Sequence, residues 1–288
     1  MITFQHQVVL VTGGARGLGL AYVRCIAKLG AIVFIQDIGA DSQGNGSDPT
    51  IAQRSAQMLQ AEGFDVRAIT GSLSSREECH QLVKHVIQQS GQLNAVIHNA
   101  GWVAYQPIEQ LNEESFDHML SIATKAPLWL AQAAWPTMKS AGYGRIVVTT
   151  SCRALYGQYA QIGLAAYAAA KMAIVGAMNI LNLEGEKHGI IVNAVSPVAK
   201  TRMWGIEDEP NELHPADVAP GVAFLASSAC QSGGWILRAA NGQFHATKAL
   251  EAEHVDYPRN IQGVSAKTAQ DVVEQWSKIA ITDVEPRK

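Results

Sequence analysis

Only four cysteines occur in 288 residues, at Cys25, Cys79, Cys152 and Cys230, and no two form a CxxC pair. Spacing this wide argues against a disulfide framework or a thiolate metal site and fits a reducing, cytoplasmic compartment. The nine histidines show no metal-ligand spacing, so no metal is expected. Charge is sparse as well: 16% of residues are charged, the net charge is -3, and Lys and Arg are scattered, which argues against a general nucleic-acid surface. Uninterrupted apolar runs fall far short of a bilayer span, so no membrane segment is expected. The opening Met1-Ile2-Thr3-Phe4-Gln5-His6-Gln7 lacks the basic start and long apolar run of a leader. No internal repeat and no Pro/Ser-rich linker divides the chain, and 48% hydrophobic content supplies an ample core.

What is present is ordered alternation. Val8-Val9-Leu10-Val11-Thr12 reads as a buried strand, Gly13-Gly14-Ala15-Arg16-Gly17-Leu18-Gly19 as a tight turn, Leu20 to Leu29 as a helix and Ala31 to Asp37 as a second strand. Bare glycines at such a turn let a pyrophosphate approach the backbone, and the following helix N-terminus supplies N–H groups and partial positive charge. Asp37 at the second strand's end would accept the ribose hydroxyls and repel a 2'-phosphate, favouring NAD over NADP. Arg16 pulls the other way, because a cation in this turn can hold a phosphate.

Further strands are expected at Asp65–Ile69, Ala95–His98, Arg145–Ser151 and Ile190–Val195, with helices between them and a polar loop from Gly39 to Pro49. That order implies an α/β parallel sheet with helices on both faces. Ligands in such sheets bind beyond the strand carboxyl ends. Gly13 to Gly19, Asp37, Asn99 to Gly101, Ser151 and Pro197 all fall there. The alanine-rich stretch Ala165–Lys187 reads as a helix that puts Tyr167 and Lys171, four residues apart, on one face. An ammonium beside a phenol lowers its pKa from about 10 and fits it for proton transfer near neutrality.

Taken together these residues resemble the short-chain dehydrogenase/reductase family. Thr12 to Gly19 is similar to its TGxxxGxG cofactor motif, Asn99-Ala100-Gly101 to its NAG motif with His98 in place of the more usual Asn, and Ser151 with Tyr167-x-x-x-Lys171 to its catalytic set. Within the family the chain is most similar to the hydroxyacyl-CoA dehydrogenase unit of peroxisomal multifunctional enzymes, through Gln36-Asp37-Ile38-Gly39, Ala134 to Lys139, Tyr143 to Ile146, Leu155-Tyr156-Gly157 and the tail around Trp276. The resemblance implies a Rossmann-type doubly wound single domain over 1–244 with a sheet of about seven strands, and 245–288 as an extension on the same domain or a neighbouring subunit. It implies hydride transfer between NAD and a secondary alcohol or ketone, with a 3-hydroxyacyl thioester among the candidates. Tyr167 would exchange the alcohol proton, Ser151 would hold the carbonyl oxygen, and Lys171 would tune Tyr167 and bind the ribose. Ser72, Leu73, Pro197 and Thr201 would complete the cofactor contacts. A homodimer or homotetramer is implied on the helices from Asn112 to Lys139 and Tyr167 to Glu186, whose apolar residues Leu128, Trp129, Leu130, Ile174, Val175, Met178, Ile180 and Leu181 exceed what one sheet face needs.

The family pattern is broken in places. Ala123 stands where the family has an Asn that holds a water near the Lys, so Thr124 or another polar group must compensate or turnover falls. More residues than the family norm separate Ser151 from Tyr167; the surplus, Gln158 to Leu164, would reshape the substrate pocket. Arg153, Tyr159, Met203 and Trp204 are candidate pocket residues, Arg153 because a guanidinium there could hold a carboxylate or phosphate. Two alternatives stand beside the NAD enzyme: an NADP-dependent carbonyl reductase, and a catalytically impaired dinucleotide-binding relative.

Overall fold

Strand β1 (Val8–Thr12) is buried at all five positions, as an apolar run covered on both faces should be. Odd and even residues serve different cores. Val9 and Val11 join one cluster; Val8 and Leu10 join the other. The computed structural model describes residues 1–202, 205, 210–251 and 254–280, in two compact units, Met1–Thr247 and Lys248–Lys288.

In the first unit β1 is followed by α1 (Gly17–Lys28), β2 (Ile32–Gln36), α2 (Thr50–Ala61), β3 (Val66–Ile69), α3 (Arg76–Ser90) and β4 (Ala95–His98). Next come α4 (Glu113–Leu120), a π-helical segment Ser121–Lys125, α5 (Ala126–Ala141), β5 (Gly144–Thr149) and α6 (Cys152–Leu155). The unit closes with α7 (Ala165–Gly185), β6 (Ile190–Val198), α8 (Ala219–Ala226), β7 (Ile236–Ala240) and β8 (Gln243–Thr247). The eight strands form one sheet in the order β3-β2-β1-β4-β5-β6-β7-β8, parallel throughout except for β8, which runs antiparallel to β7. Strand order reverses direction between β1 and β4, and the crevice above that point is where such sheets bind ligands. The expected seven strands thus become eight. The extra one, β8, straddles the expected domain boundary at 244/245, and the first unit ends at Thr247 instead.

Local chemistry accounts for the element ends. Ser75 caps α3 in a capping box with Glu78, which satisfies two otherwise orphaned donors. Gly189 ends the 3-10 turn after α7 with φ +71°, and a Cβ there would fall onto Gly142 O. Arg145, buried in β5, donates to Ser227 O at 3.1 Å and to Gly189 O at 3.1 Å.

Helix Ala165–His188 is, by length and composition alone, long and apolar enough to cross a bilayer, which a count of uninterrupted runs misses. Its Ile174 and Met178 are fully buried against the sheet, and Ala170 against Ala123 and Met119, as in a core helix. That packing also corrects the expected oligomer face. Leu130, Ile174, Val175 and Met178 are consumed by the core, while Met172, Ile180 and Leu183 stay exposed. The second unit contains α9 (Ala269–Ile279), capped by Thr268 and Asp271 and carrying an exposed Trp276.

Candidate active site

The turn from Gly13 to Gly19 joins β1 to α1 with its backbone stripped bare. A Cβ at Gly13 would lie 2.8 Å from Ala100 Cα, and one at Gly19 would fall onto Gly13 O. Gly13 and Gly17 also adopt positive φ, +59° and +51°, which only glycine takes without strain. Asn99 Nδ2 donates to Gly13 O at 2.9 Å, holding the β4 end against the turn.

His98 braces the same junction. Its Nε2 faces the Ile122 carbonyl at 2.9 Å, so that nitrogen carries the proton. Its Nδ1 must then accept from the Thr12 hydroxyl at 3.0 Å. Thr12 Oγ1 in turn accepts from the amides of Asn99 and Ala100 at 3.1 and 3.3 Å. Burial, with the Lys171 charge nearby, drops the imidazole pKa to about 3, so His98 is a neutral strut.

Asp37 lies nearly buried beside the turn. Its Oδ2 accepts from Ala15 N at 3.1 Å and its Oδ1 from Gly39 N at 2.8 Å. Arg16 Nη2 stands 3.5 Å from Asp37 and donates to Ala40 O at 2.8 Å. Arg202, which the sequence did not single out, reaches the same carbonyl at 3.2 Å. A cavity of about 190 Å³ opens here, walled by Gly17, Leu18, Asp37, Ser72, Leu73 and Arg202 among others. The loop from Gly39 to Pro49 is folded over it: Gly44 packs so tightly on Trp102 that a Cβ would lie 2.7 Å from the ring.

A second cavity, about 510 Å³, adjoins the first, and both are walled by Leu18, Asn99, Gly101, Trp102 and Thr201. Three elements bring Ser151, Tyr167 and Lys171 onto its wall. Ser151, at the end of β5, is the N-cap of α6 and accepts from Arg153 N at 3.2 Å. Lys171 Nζ donates to Thr149 O at 2.9 Å and sits 5.8 Å from the Tyr167 ring centre. Burial lowers the Lys171 pKa to about 8. Burial raises that of Tyr167, and the groups opposing it are Ser151 first and then Arg153.

Ala123 is buried against Tyr167 and Ala170. The Thr124 hydroxyl donates to Ala170 O at 3.0 Å and the Ile122 carbonyl accepts from His98; among the described residues Lys171 Nζ bonds neither of them, and donates to Thr149 O. The surplus residues do line the pocket: Gln158, Tyr159, Ala160 and Gln161 face this cavity, with Arg153 and Pro197. Arg238 of β7 faces it too and was not foreseen. Met203 and Trp204 lie outside the described residues. The four cysteines are free thiols, and no metal-ligand cluster occurs among the described residues.

A Gly-lined turn at the sheet's switch point, followed by a Ser, Tyr and Lys on one wall, defines a dinucleotide-binding oxidoreductase site. The sequence profile of the short chain dehydrogenase family matches residues 7–211, and the chain belongs to that family. Over 281 residues it is 30% identical to a short-chain type dehydrogenase/reductase of Mycobacterium tuberculosis, covering 96% of this chain and 97% of that one. It is 33% identical over 244 residues to the peroxisomal multifunctional enzyme type 2 of Mus musculus, spanning 84% of this chain but only 32% of the mouse enzyme. A crystal structure of a short chain dehydrogenase from Mycobacterium avium superposes with a TM-score of 0.80 at 24% identity, over 97% of this chain and 96% of that one.

The residues present fit a nicotinamide dinucleotide. The bare turn admits a pyrophosphate, and Thr201 Oγ1, buried on the wall shared by both cavities, has no hydrogen-bond partner among the described residues, an unmet need that a bound ligand would satisfy.

Proposed function

We propose that the chain is an NAD-dependent oxidoreductase that interconverts a secondary alcohol and its ketone. The observation that carries this is the convergence of Ser151, Tyr167 and Lys171 on a cavity continuous with the glycine-lined one. The bound dinucleotide would accept or supply the hydride. Gly13, Gly17 and Gly19 would leave room for its pyrophosphate, Asp37 would take the adenosine ribose, Ser72 and Leu73 would flank the adenine, and Thr201 would bond the nicotinamide end. Ser151 Oγ would hold the substrate oxygen and stabilise charge developing on it. Tyr167 would take the alcohol proton or return it, and Lys171, with two donors left beyond Thr149 O, would reach the ribose. The similarity to peroxisomal multifunctional enzymes makes a 3-hydroxyacyl thioester a first substrate to screen.

NAD is favoured because Asp37 would face the ribose hydroxyls, and the carboxylate keeps lone pairs beyond those given to Ala15 and Gly39. One observation favours the NADP reading: Arg16 and Arg202 converge on Ala40 O beside that carboxylate. Titration calorimetry with each dinucleotide decides between them. NAD is expected to bind at least ~10-fold more tightly, the value of repelling a phosphate with one carboxylate. Asp37→Ser is expected to narrow or reverse the ratio, since both arginines remain. Tighter NADP binding by the unaltered chain would overturn the NAD reading, and binding of neither would overturn the dinucleotide site.

We also propose a homodimer or homotetramer, supported by Met172, Ile180 and Leu183 exposed on α7. Light scattering is expected to give a multiple of the chain mass at micromolar concentration; a monomer removes this reading. Four free cysteines support a reducing, cytoplasmic location.

A further inference from the structure

We infer that the substrate carries an oxyanion, a carboxylate or a phosphate, close to its reacting carbon, and that Arg238 is the residue that binds it. This rests on the oxidoreductase reading above and narrows its substrate class. Arg238 is half-buried on β7 and lines the cavity that holds Tyr167 and Lys171. Its guanidinium lies 5.2 Å from the Tyr156 ring centre and 5.1 Å from that of Tyr159, and the two rings stand edge to face at 6.2 Å. Contact with an aromatic face holds a guanidinium in place without using its N–H groups. The Arg238 guanidinium makes no hydrogen bond or ion pair to protein among the described residues.

The rest of the wall has the same sign. Arg153 also lines the cavity and donates to the Tyr105 hydroxyl at 2.6 Å, which donates onward to Gln161 at 2.8 Å. It too has no acidic partner among the described residues, and the cavity's described wall contains no Asp or Glu. Two half-buried guanidiniums and a lysine facing one space without a carboxylate are costly unless an anion shares that space. A fixed, planar N–H fork suits the two oxygens of a carboxylate or phosphate. Tyr156 and Tyr159 are positioning residues, and Tyr159 sits in the stretch between Ser151 and Tyr167 that exceeds the family norm. The redox step is unaltered: the alcohol carbon gives a hydride to the dinucleotide and its hydroxyl gives a proton to Tyr167.

The test compares kcat/KM for 3-hydroxybutyrate, its methyl ester and 2-hydroxypropyl phosphate, in the unaltered enzyme, Arg238→Gln and Arg238→Lys. The unaltered enzyme is expected to prefer at least one anion to the ester, and which one identifies the oxyanion. In Arg238→Gln the anion-to-ester ratio is expected to fall about 100-fold, mainly through KM, with partial recovery in Arg238→Lys. A ratio that does not change would make Arg238 a brace for the 156–159 turn and overturn the inference, as would preference for the ester or for a coenzyme A thioester insensitive to Arg238. A second readout does not need turnover. Butyrate and inorganic phosphate are titrated calorimetrically into protein saturated with dinucleotide. Binding that Arg238→Gln abolishes upholds the anion site even if no alcohol is oxidised, a result that would sink the oxidoreductase reading alone. Failure of both anions to bind the unaltered protein removes the site.

Discussion

Tyr167→Phe is expected to lower kcat for alcohol oxidation by ~10² to ~10⁴, the range for loss of a positioned acid/base. Dinucleotide affinity should change by no more than about tenfold, the worth of one neutral hydrogen bond. The phenol is buried, and burial holds its pKa above the ordinary value despite Ser151 and Arg153. In the chain alone it is therefore a protonated acid at neutral pH, ready to give a proton to a ketone. Removing a proton from an alcohol needs the phenolate instead, so oxidation by the unaltered enzyme should accelerate as pH rises toward the phenol pKa, and ketone reduction should slow. Both pH dependences should disappear in Tyr167→Phe. A variant as active as the parent would remove Tyr167 from the chemistry. Parent and variant both inert on a broad alcohol panel, with NAD still bound, would favour the impaired dinucleotide-binding relative, in line with Ala123 and the committed Thr124 hydroxyl.

Where contacts are local, the sequence showed them. The β1-turn-α1-β2 unit was legible because a β-branched run, a glycine turn and a strand-end acid all lie within the first 37 positions, and the parallel sheet with helices on both faces follows from strand-helix alternation. Tyr167 and Lys171 were legible through helix spacing. Residues whose role depends on distant partners were not. Arg238 meets Tyr156 and Tyr159 only across the folded sheet, and Arg202 meets Arg16 at a carbonyl far along the chain. β8 is exposed at four of its five positions, so it lacks the in-out alternation that marks a half-buried strand. The π-helical turn at Ser121–Lys125, where the Ile122 carbonyl accepts from His98 Nε2, carries no compositional mark. The approach of Lys171 to the Tyr167 ring follows from the shared helix face, whereas its bond to Thr149 O on β5 depends on a partner distant in the chain.

That placement has a cost, and Lys171→Met should expose it. Burial is the one cause that moves the Lys171 pKa, from 10.5 to about 8; no carboxylate pairs with it among the described residues, and the neighbouring His98 is neutral. Below pH 8 the lysine is charged in both the folded and unfolded chain, and the folded state bears the full burial penalty. Between about 8 and 10.5 the unfolded chain still holds a proton that the folded one has released, so stability rises with pH across that window. Above it the amine is neutral in both states and the penalty is gone. The shift corresponds to a penalty on the order of 3 kcal/mol at pH 7, while losing the bond to Thr149 O costs about 1 kcal/mol. Lys171→Met should therefore be more stable than the parent by about 2 kcal/mol at pH 7, and urea titrations of the two dinucleotide-free chains should show that advantage shrinking as pH is raised through the window. Activity should move the opposite way, with kcat down by ~10² or more because a site donor is lost. A variant less stable than the parent at pH 7 would show that Thr149 O and the surrounding cavity compensate the buried ammonium, and would make Lys171 part of the scaffold as well as of the site.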